Sequence, residues 1–231
     1  MDHDEIRFDH YAGDYDAALD RGISVSGEKK EYFARSRITW VAECLEELQE
    51  RPHSIMDYGC GTGTSAPFFL SSFPGASLVG VDVSPKSLEV ARQTTVLHNA
   101  RFFLFDEYQP HAEVDLAFSN GVFHHIAPNQ RSSAIRYVRR SLRPGGLFAL
   151  WENNPWNPGT RYVMRRIPFD RDAIPMSCRE ARRLLRAEGF RIISTHFLFL
   201  FPRALRALRK IEPFLATLPL GAQYQVLCRK M

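Results

Sequence analysis

The sequence predicts an α/β fold built as a doubly wound, mostly parallel sheet of seven strands with helices on both faces. From Ser54 onward, short apolar runs alternate with amphipathic helical patterns, and this alternation is typical of a parallel sheet. A glycine-rich turn follows the first apolar run, at the edge where open parallel sheets bind ligands. These two observations predict a ligand-binding α/β protein.

The alternation also predicts where the elements lie. Strands are predicted at 54–58, 77–82, 101–105, 114–119, 146–151, 190–200 and 222–229. Helices are predicted at about 28–50, 64–72, 85–97, 128–142 and 178–188. Residues 1–52 are interpreted as a helical lid or cap and residues 53–231 as the core, with insertions at about 153–176 and 202–219.

Composition narrows the class of protein. The chain has 231 residues, 45% of them hydrophobic, which suffices for one large domain. It has no run of 18 apolar residues, and its first residues lack the basic and apolar stretches of a signal peptide. The four cysteines lie far apart, so we expect reduced thiols, no metal site and a cytoplasmic location.

Charge is distributed unevenly along the chain. Residues 1–130 carry 10 basic and 20 acidic side chains, whereas residues 131–231 carry 20 basic and 6 acidic ones. The basic half indicates either an ordinary solvated surface or a site for an anionic substrate or an anionic membrane face. Motifs typical of nucleic-acid binding do not occur, so a nucleic-acid partner is not expected.

The glycine-rich turn carries the strongest chemical signal. Ile55 to Gly63 reads I-M-D-Y-G-C-G-T-G, with glycines at 59, 61 and 63. A dinucleotide-binding loop needs a small residue where this chain has Thr64. The carboxylate of Asp57 would repel a pyrophosphate but attract an ammonium group. The spacing therefore favours a cofactor with an amino-acid end over a dinucleotide.

Two further acidic residues follow predicted strands. Asp82 ends the second strand, where a carboxylate can accept hydrogen bonds from ribose hydroxyls in either cofactor class. Phe105 and Asp106 end the third strand, and an apolar ring beside an acid suits adenine. Simple core packing is the alternative for Phe105.

Several motifs together resemble the class I S-adenosylmethionine-dependent methyltransferases, over most of residues 30–231. They are D-Y-G-C-G-T-G, V-G-V-D-V-S, V-D-L-A-F-S-N-G-V-F-H-H-I, L-R-P-G-G-L and the final G-A-Q-Y-Q-V-L-C-R-K. The resemblance implies an antiparallel last strand, S-adenosylmethionine as cofactor and S-adenosylhomocysteine as product. It also implies a set of cofactor-binding residues: Tyr11, Tyr15, Asp57, Gly59, Cys60, Gly61, Gly63, Asp82, Val83, Phe105, Asp106, Asn120 and Gly121.

The acceptor side offers two candidate catalytic residues. His124 and His125 follow the fourth strand, and a histidine can take a proton near neutral pH. We favour His124 as a base for a hydroxyl acceptor, with Glu152 orienting it or binding the acceptor. The alternatives are a structural histidine and a surface acid, and a base matters less for an amine acceptor.

The two insertions are candidates for the substrate side. Residues 153–176 contain four aromatic or apolar residues that could wall a pocket and four arginines that could bind an anion: Trp156, Tyr162, Met164, Phe169, Arg161, Arg165, Arg166 and Arg171. In 202–219, leucine and isoleucine recur at helical spacing opposite basic residues. An ordinary surface helix packed on the sheet is the alternative to a pocket wall or a peripheral membrane contact.

The sequence thus predicts a methyltransferase acting on a small molecule, with an acceptor that is a hydroxyl or an amine and that could be anionic or lipid-linked. Two alternatives remain open. One is a methyltransferase-like protein that binds the cofactor without chemistry, and the other is a dinucleotide-dependent oxidoreductase.

Overall fold

The computed structural model describes residues 15–94 and 98–231, with side chains from residue 18 onward. Seven strands form one sheet: β1 (Ser54–Tyr58), β2 (Ser77–Asp82), β3 (Ala100–Leu104), β4 (Val114–Asn120), β5 (Leu142–Asn153), β6 (Phe190–Leu198) and β7 (Gln223–Lys230). Their order across the sheet is β3-β2-β1-β4-β5-β7-β6, and β7 runs antiparallel to both of its neighbours. The predicted fold class is therefore confirmed, including the antiparallel last strand.

Helices and short 3₁₀ segments connect the strands. The α-helices are α1 (Tyr15–Ile23), α2 (Lys30–Glu47), α3 (Ala66–Ser72), α4 (Pro85–Thr94), α5 (Arg131–Ser141), α6 (Pro158–Arg166), α7 (Cys178–Ala187) and α8 (Glu212–Leu215). The 3₁₀ segments are Ser24–Ser26, Pro168–Asp170 and Arg203–Ile211. None of the described helices is both long enough and apolar enough to cross a membrane.

The core lies in two layers, one on each face of the sheet. Consecutive residues of β1 belong to different layers. Ile55 packs in the layer with α2, α3 and α4, whereas Met56 packs in the layer with α5 and α7. Successive side chains of a strand point to opposite faces, so a strand covered on both faces is apolar throughout. This double burial explains why the two consecutive residues before Asp57, Ile55 and Met56, are both apolar.

The fifth strand is longer than predicted. The strand was predicted at 146–151, but β5 already begins at Leu142, before the Pro144-Gly145-Gly146 sequence. Val114 pairs with Leu142 and Leu116 with Leu147, so the pairing register shifts between them. Gly145 adopts a φ of +75°, which a glycine tolerates and which lets the strand pass through this irregularity.

The first insertion contains the helix α6, although no helix was predicted between residues 153 and 176. The side chain of Asn157 caps α6 by accepting a hydrogen bond from the Thr160 backbone N–H at 2.9 Å, and Pro158 follows in the first turn. Asparagine at the cap and proline at the first helical position are a recognised start signal.

The second insertion is helical but not a single α-helix. A 3₁₀ segment with a non-helical Leu205 is followed by the one-turn α8, which has Pro213 in its first turn. Three of its leucines face solvent, since Leu205, Leu208 and Leu218 are each more than 40% exposed, whereas Leu215 is half-buried.

Candidate functional site

The glycine-rich turn lies at the carboxyl end of β1 and is held by the next strand. Gly59, Gly61 and Gly63 all have positive φ, between 52° and 75°. The carboxylate of Asp82 accepts hydrogen bonds from the backbone N–H of Gly61 at 2.8 Å and of Ser84 at 3.0 Å. Asp82 therefore shapes the turn.

A cavity of about 430 Å³ opens beside this turn, which is a usual size for a small-molecule site. The predicted residues that line it are Asp57, Gly59, Cys60, Gly61, Asn120, Gly121 and His124. An apolar wall comes from α1, α2, the insertion after β5 and the end of β6. The structure therefore brings much of the predicted cofactor loop and the end of β4 to one cavity.

Two features of the cavity fit a polar, extended cofactor. A Cβ added at Gly61 would meet no protein atom within 4 Å, so the backbone there faces open space. The buried Oδ1 of Asn120 has no hydrogen-bond partner among the described residues. A buried acceptor of this kind is suited to a donor from a ligand, such as the ammonium group of S-adenosylmethionine.

Asp57 is the buried acid of this site. It is 3% exposed, and burial is the main cause that raises the pKa of its carboxyl, with Asp82 adding to it and Arg37 opposing it. The resulting pKa is about 7, compared with an ordinary value of 3.8. A cationic group brought beside Asp57 would favour its ionised form.

Other predicted cofactor residues lie outside the cavity or outside the described part of the chain. Phe105 stacks on Tyr137 with ring centroids 4.1 Å apart, and Asp106 is exposed. Phe105, Asp106, Gly63, Asp82 and Val83 do not line the cavity, so their contact with the cofactor remains a prediction. Tyr11 and the side chain of Tyr15 fall outside the described residues.

The two histidines after β4 join two acidic side chains in a buried cluster. His124 Nδ1 lies 2.7 Å from Glu152 Oε2, and His124 Nε2 lies 3.4 Å from Asp170 Oδ1. His125 Nε2 lies 3.3 Å from the same Asp170 oxygen. Glu152 also accepts a hydrogen bond from the Phe123 backbone N–H at 2.7 Å, which ties it to the histidine turn.

Burial and neighbouring charges act in opposite directions in this cluster. Burial lowers the pKa of His124, but Glu152 and Asp170 together outweigh it and raise that pKa to about 10. Burial and the neighbouring His124 lower the pKa of His125. Burial raises the pKa of Asp170, but hydrogen bonds from both histidines bring it down to about 2.

A buried arginine holds the histidine turn in place. Arg131 is 1% exposed, and its Nε donates to the backbone carbonyls of Phe123 at 3.0 Å and Ile126 at 3.1 Å. Its Nη1 contacts Glu180 at 2.7 Å, and its Nη2 donates to the Ile174 carbonyl. Arg131 therefore links the turn after β4 to α7.

Two residues of this cluster and its support, Asp170 and Arg131, carry no motif in the sequence that indicates their role. Asp170 reaches the histidines because α6 and a 3₁₀ turn return the chain to the end of β4. Arg131 looks like any residue of a surface helix in the sequence. The sequence does contain one relevant signal, the helix start at Asn157-Pro158. It would have predicted a helix in the first insertion, and that helix leads the chain back toward the histidines.

The predicted substrate residues of the first insertion divide into two groups. Met164 and Phe169 line the cavity. Trp156, Tyr162, Arg161, Arg165, Arg166 and Arg171 are exposed and do not line it. The arginines of this insertion therefore do not form the expected anion site in this cavity.

Comparisons with known proteins agree with this architecture. A family model described as a methyltransferase domain matches residues 56–148. Trans-aconitate 2-methyltransferase of Azoarcus sp. is 32% identical over 117 residues, covering 50% of this chain and 45% of that protein. Cyclopropane-fatty-acyl-phospholipid synthase of Escherichia coli is 30% identical over 106 residues, covering 46% of this chain and 28% of that protein.

The fold has a solved counterpart. Magnesium protoporphyrin IX methyltransferase from Synechocystis, with bound S-adenosylhomocysteine, aligns over 91% of this chain and 86% of that chain with a TM-score of 0.61 at 18% identity. The chain spans about half the length or less of the curated relatives it matches. The strand order and the fold of this counterpart agree with the methyltransferase domain that is matched over residues 56–148.

Proposed function

We propose that this chain transfers a methyl group from S-adenosylmethionine to a small-molecule acceptor bound in the same cavity. The observation that carries the proposal is that the glycine-rich turn, Asp57, Asn120 and the histidine cluster all line one cavity. Two ligands held side by side in one cavity gain reactivity from proximity and orientation.

The cofactor end of the cavity is assigned to the ends of β1 and β4. Asp57 and the side-chain oxygen Oδ1 of Asn120 would bind the ammonium group. Gly59 and Gly61 have no side chains, so the backbone of the turn can lie close to the ligand. S-adenosylmethionine supplies an electrophilic methyl group on a positively charged sulfur. Asp82 shapes the turn, and its proposed contact with the ribose is an additional role.

The acceptor end of the cavity is largely apolar. Phe33, Phe169, Phe199, Met164 and Ile167 line the cavity. Lys30, Arg37 and Arg209 also line it, in contact with Thr64, Gln223 and Glu28 respectively, and their positive charge would attract an anionic group. These neighbours support an acceptor with an apolar body and an anionic or polar end, methylated on a hydroxyl or an amine.

His124 and Glu152 are proposed to position the acceptor side of the site. His124 lines the cavity, and both of its ring nitrogens face carboxylate oxygens. A general base needs a free nitrogen within reach of the acceptor proton. The geometry therefore favours a positioning role for His124 over proton removal.

We also propose that the second insertion contacts an anionic membrane surface. Its exposed apolar side chains are Leu205, Leu208, Ile211, Phe214 and Leu218. Exposed Arg203, Arg206 and Lys210 lie among them, and Pro202 and Arg209 of the same segment line the cavity. Basic and apolar groups together suit the surface of an anionic lipid layer, from which an apolar acceptor could reach the cavity.

A ligand-binding experiment tests the cofactor assignment. S-adenosylhomocysteine should raise the melting temperature of the purified protein, because it binds the folded state only, whereas NAD should not. A shift with NAD alone would support the oxidoreductase alternative and sink the proposal.

A turnover experiment separates an active enzyme from a cofactor-binding relative. Labelled S-adenosylmethionine and a metabolite mixture should yield labelled product with the wild-type protein. Binding of S-adenosylhomocysteine without labelling of any hydroxyl, amine or lipid-linked candidate would favour the catalytically altered alternative.

A further inference from the structure

The cluster after β4 has the geometry of a metal site. One ring nitrogen of His124, one of His125 and a carboxylate oxygen of Asp170 all lie within 4.8 Å of one another. The same oxygen, Asp170 Oδ1, lies 3.4 Å from one histidine nitrogen and 3.3 Å from the other. Within the described residues, this is the one grouping of three such donors.

The two histidine–Asp170 separations fit long hydrogen bonds, and they also fit ligand atoms that share one metal ion. Hydrogen bonds between nitrogen and oxygen are usually 2.7–3.2 Å long. Ligands bound about 2.0–2.1 Å from a tetrahedral zinc ion lie about 3.3–3.4 Å from one another. The two Asp170 distances match the edges of such a tetrahedron.

The residues around the cluster also fit a metal site. His124 places its other ring nitrogen, Nδ1, 2.7 Å from Glu152 Oε2. Metal-bound histidines usually donate that second N–H to a carboxylate, which fixes the ring and leaves Nε2 for the metal. All three proposed ligands line the cavity, so a remaining coordination position could be reached from it.

We propose that His124, His125 and Asp170 bind one divalent transition-metal cation, with Glu152 orienting His124. Two imidazoles and one carboxylate are a donor set that zinc and related metals use when one position stays open for water or substrate. A cation at this place would hold an acceptor oxygen at the edge of the cavity and lower the pKa of its hydroxyl. The proposal does not depend on methyl transfer, since metal binding is measured without cofactor.

Metal titration of the whole chain tests the site. After removal of bound metal with a chelator, Zn²⁺ is titrated by calorimetry and Co²⁺ by its visible absorption, which reports tetrahedral nitrogen and oxygen ligands. We expect one metal ion per chain. His125→Asn and Asp170→Asn should each weaken binding roughly a hundredfold or more, and Glu152→Gln roughly ten- to a hundredfold.

The control is His111→Asn, which removes an exposed histidine away from the cluster. It should leave the affinity for Zn²⁺ unchanged. Thermal melting without metal checks that each variant folds, and if Asp170→Asn does not fold, the partly exposed His125→Asn decides. The proposal is overturned if the wild type binds no stoichiometric Zn²⁺, if folded His125→Asn keeps wild-type affinity, or if His111→Asn loses as much.

Discussion

The ionised carboxylate of Asp57 suits binding of a cationic cofactor, but its burial destabilises the folded protein when no ligand is bound. Burial raises the pKa of this carboxyl to about 7, so the folded chain holds a proton that an unfolded chain releases above about pH 4. The stability contributed by this proton is present at low pH and is lost as pH rises through about 7. A buried acid that destabilises the empty protein at neutral pH is suited to a cationic ligand.

Asp57→Asn should therefore stabilise the protein and weaken the site. Asparagine has no charge to desolvate, so its advantage in the free energy of unfolding should grow by about 3 kcal/mol between pH 5 and pH 8. Urea unfolding of both proteins at the two pH values measures this difference. The affinity for S-adenosylhomocysteine should fall at the same time.

Glu113→Gln serves as the matched control, because it removes one exposed carboxylate. Its difference from wild type should stay constant from pH 5 to pH 8. An Asp57→Asn difference that is equally flat would show that Asp57 ionises normally in the folded chain.

Arg131 is the residue whose loss should damage the histidine turn most. Arg131→Ala removes a donor from three backbone carbonyls and from Glu180, which is 28% exposed. A buried acceptor left without a partner costs about 1–3 kcal/mol, so we expect a loss of about 3 kcal/mol in the free energy of unfolding. Urea unfolding at neutral pH measures the loss. Arg131→Lys should not restore it, because lysine lacks the planar fork that serves several acceptors.

Arg136 provides the comparison on the same helix. It is 53% exposed and pairs with Glu188 at 2.9 Å. Exposed pairs contribute about 0–1 kcal/mol, so Arg136→Ala should be nearly neutral. Equal losses for the two variants would contradict the role given to Arg131.

At the scale of elements, the turn after β1 combines backbone strain with open space. Gly61 has a φ of +52° and faces open space, whereas a Cβ at Gly59 would meet Val122 at 2.2 Å. Gly61→Ala should therefore fold with a cost of about 1–2 kcal/mol. Its methyl group would take up room at the cavity, so calorimetry should find weaker binding of S-adenosylhomocysteine.

Gly75→Ala separates strain from contact with the ligand. Gly75 also has a positive φ, of +84°, with no atom within 4 Å of an added Cβ, and it does not line the cavity. It should lose a similar amount of stability and keep full affinity for S-adenosylhomocysteine. If Gly61→Ala binds as tightly as Gly75→Ala, the turn does not contact the cofactor.

Local sequence pattern was enough to predict the strands and most helices. Burial on both faces of the sheet makes the consecutive residues 55 and 56 of β1 apolar, and α2 places Ile38, Val41 and Leu45 on its buried face at helical spacing. The observed start of β5 differs from the predicted one because Gly145, which has a positive φ, lies inside the strand and does not end it. Such shifts depend on pairing between strands, which a single stretch of sequence does not contain.

Only those site residues that lie at the ends of strands could be predicted from the sequence. Asp57, Asn120 and His124 lie at or just after carboxyl ends of parallel strands, so their meeting follows from topology. Asp170 comes from an insertion whose path is set by α6, and Arg131 is buried by tertiary packing alone. Neither position carries a local pattern that distinguishes it from surface residues.

At the scale of the whole molecule, positive charge and exposed apolar surface coincide. The half of the chain after residue 130 carries 20 basic and 6 acidic side chains, and it includes the second insertion. Phe214 there is 83% exposed, and Leu208 is 43% exposed. An apolar patch with basic residues around it is unusual on a protein surface and indicates an interaction surface.

The second insertion should bind vesicles that contain anionic lipid. Wild-type protein is expected to float with such vesicles at low salt and to be released as salt is raised, because screening weakens the attraction of Arg203, Arg206 and Lys210. The double variant Leu208→Ser with Phe214→Ser removes apolar area without changing charge and should stay in the soluble fraction. Ile174→Ser is the control, since it removes an exposed apolar residue outside the insertion and should float like wild type. Wild-type protein that stays soluble with anionic vesicles at low salt would mean that this face does not bind membranes.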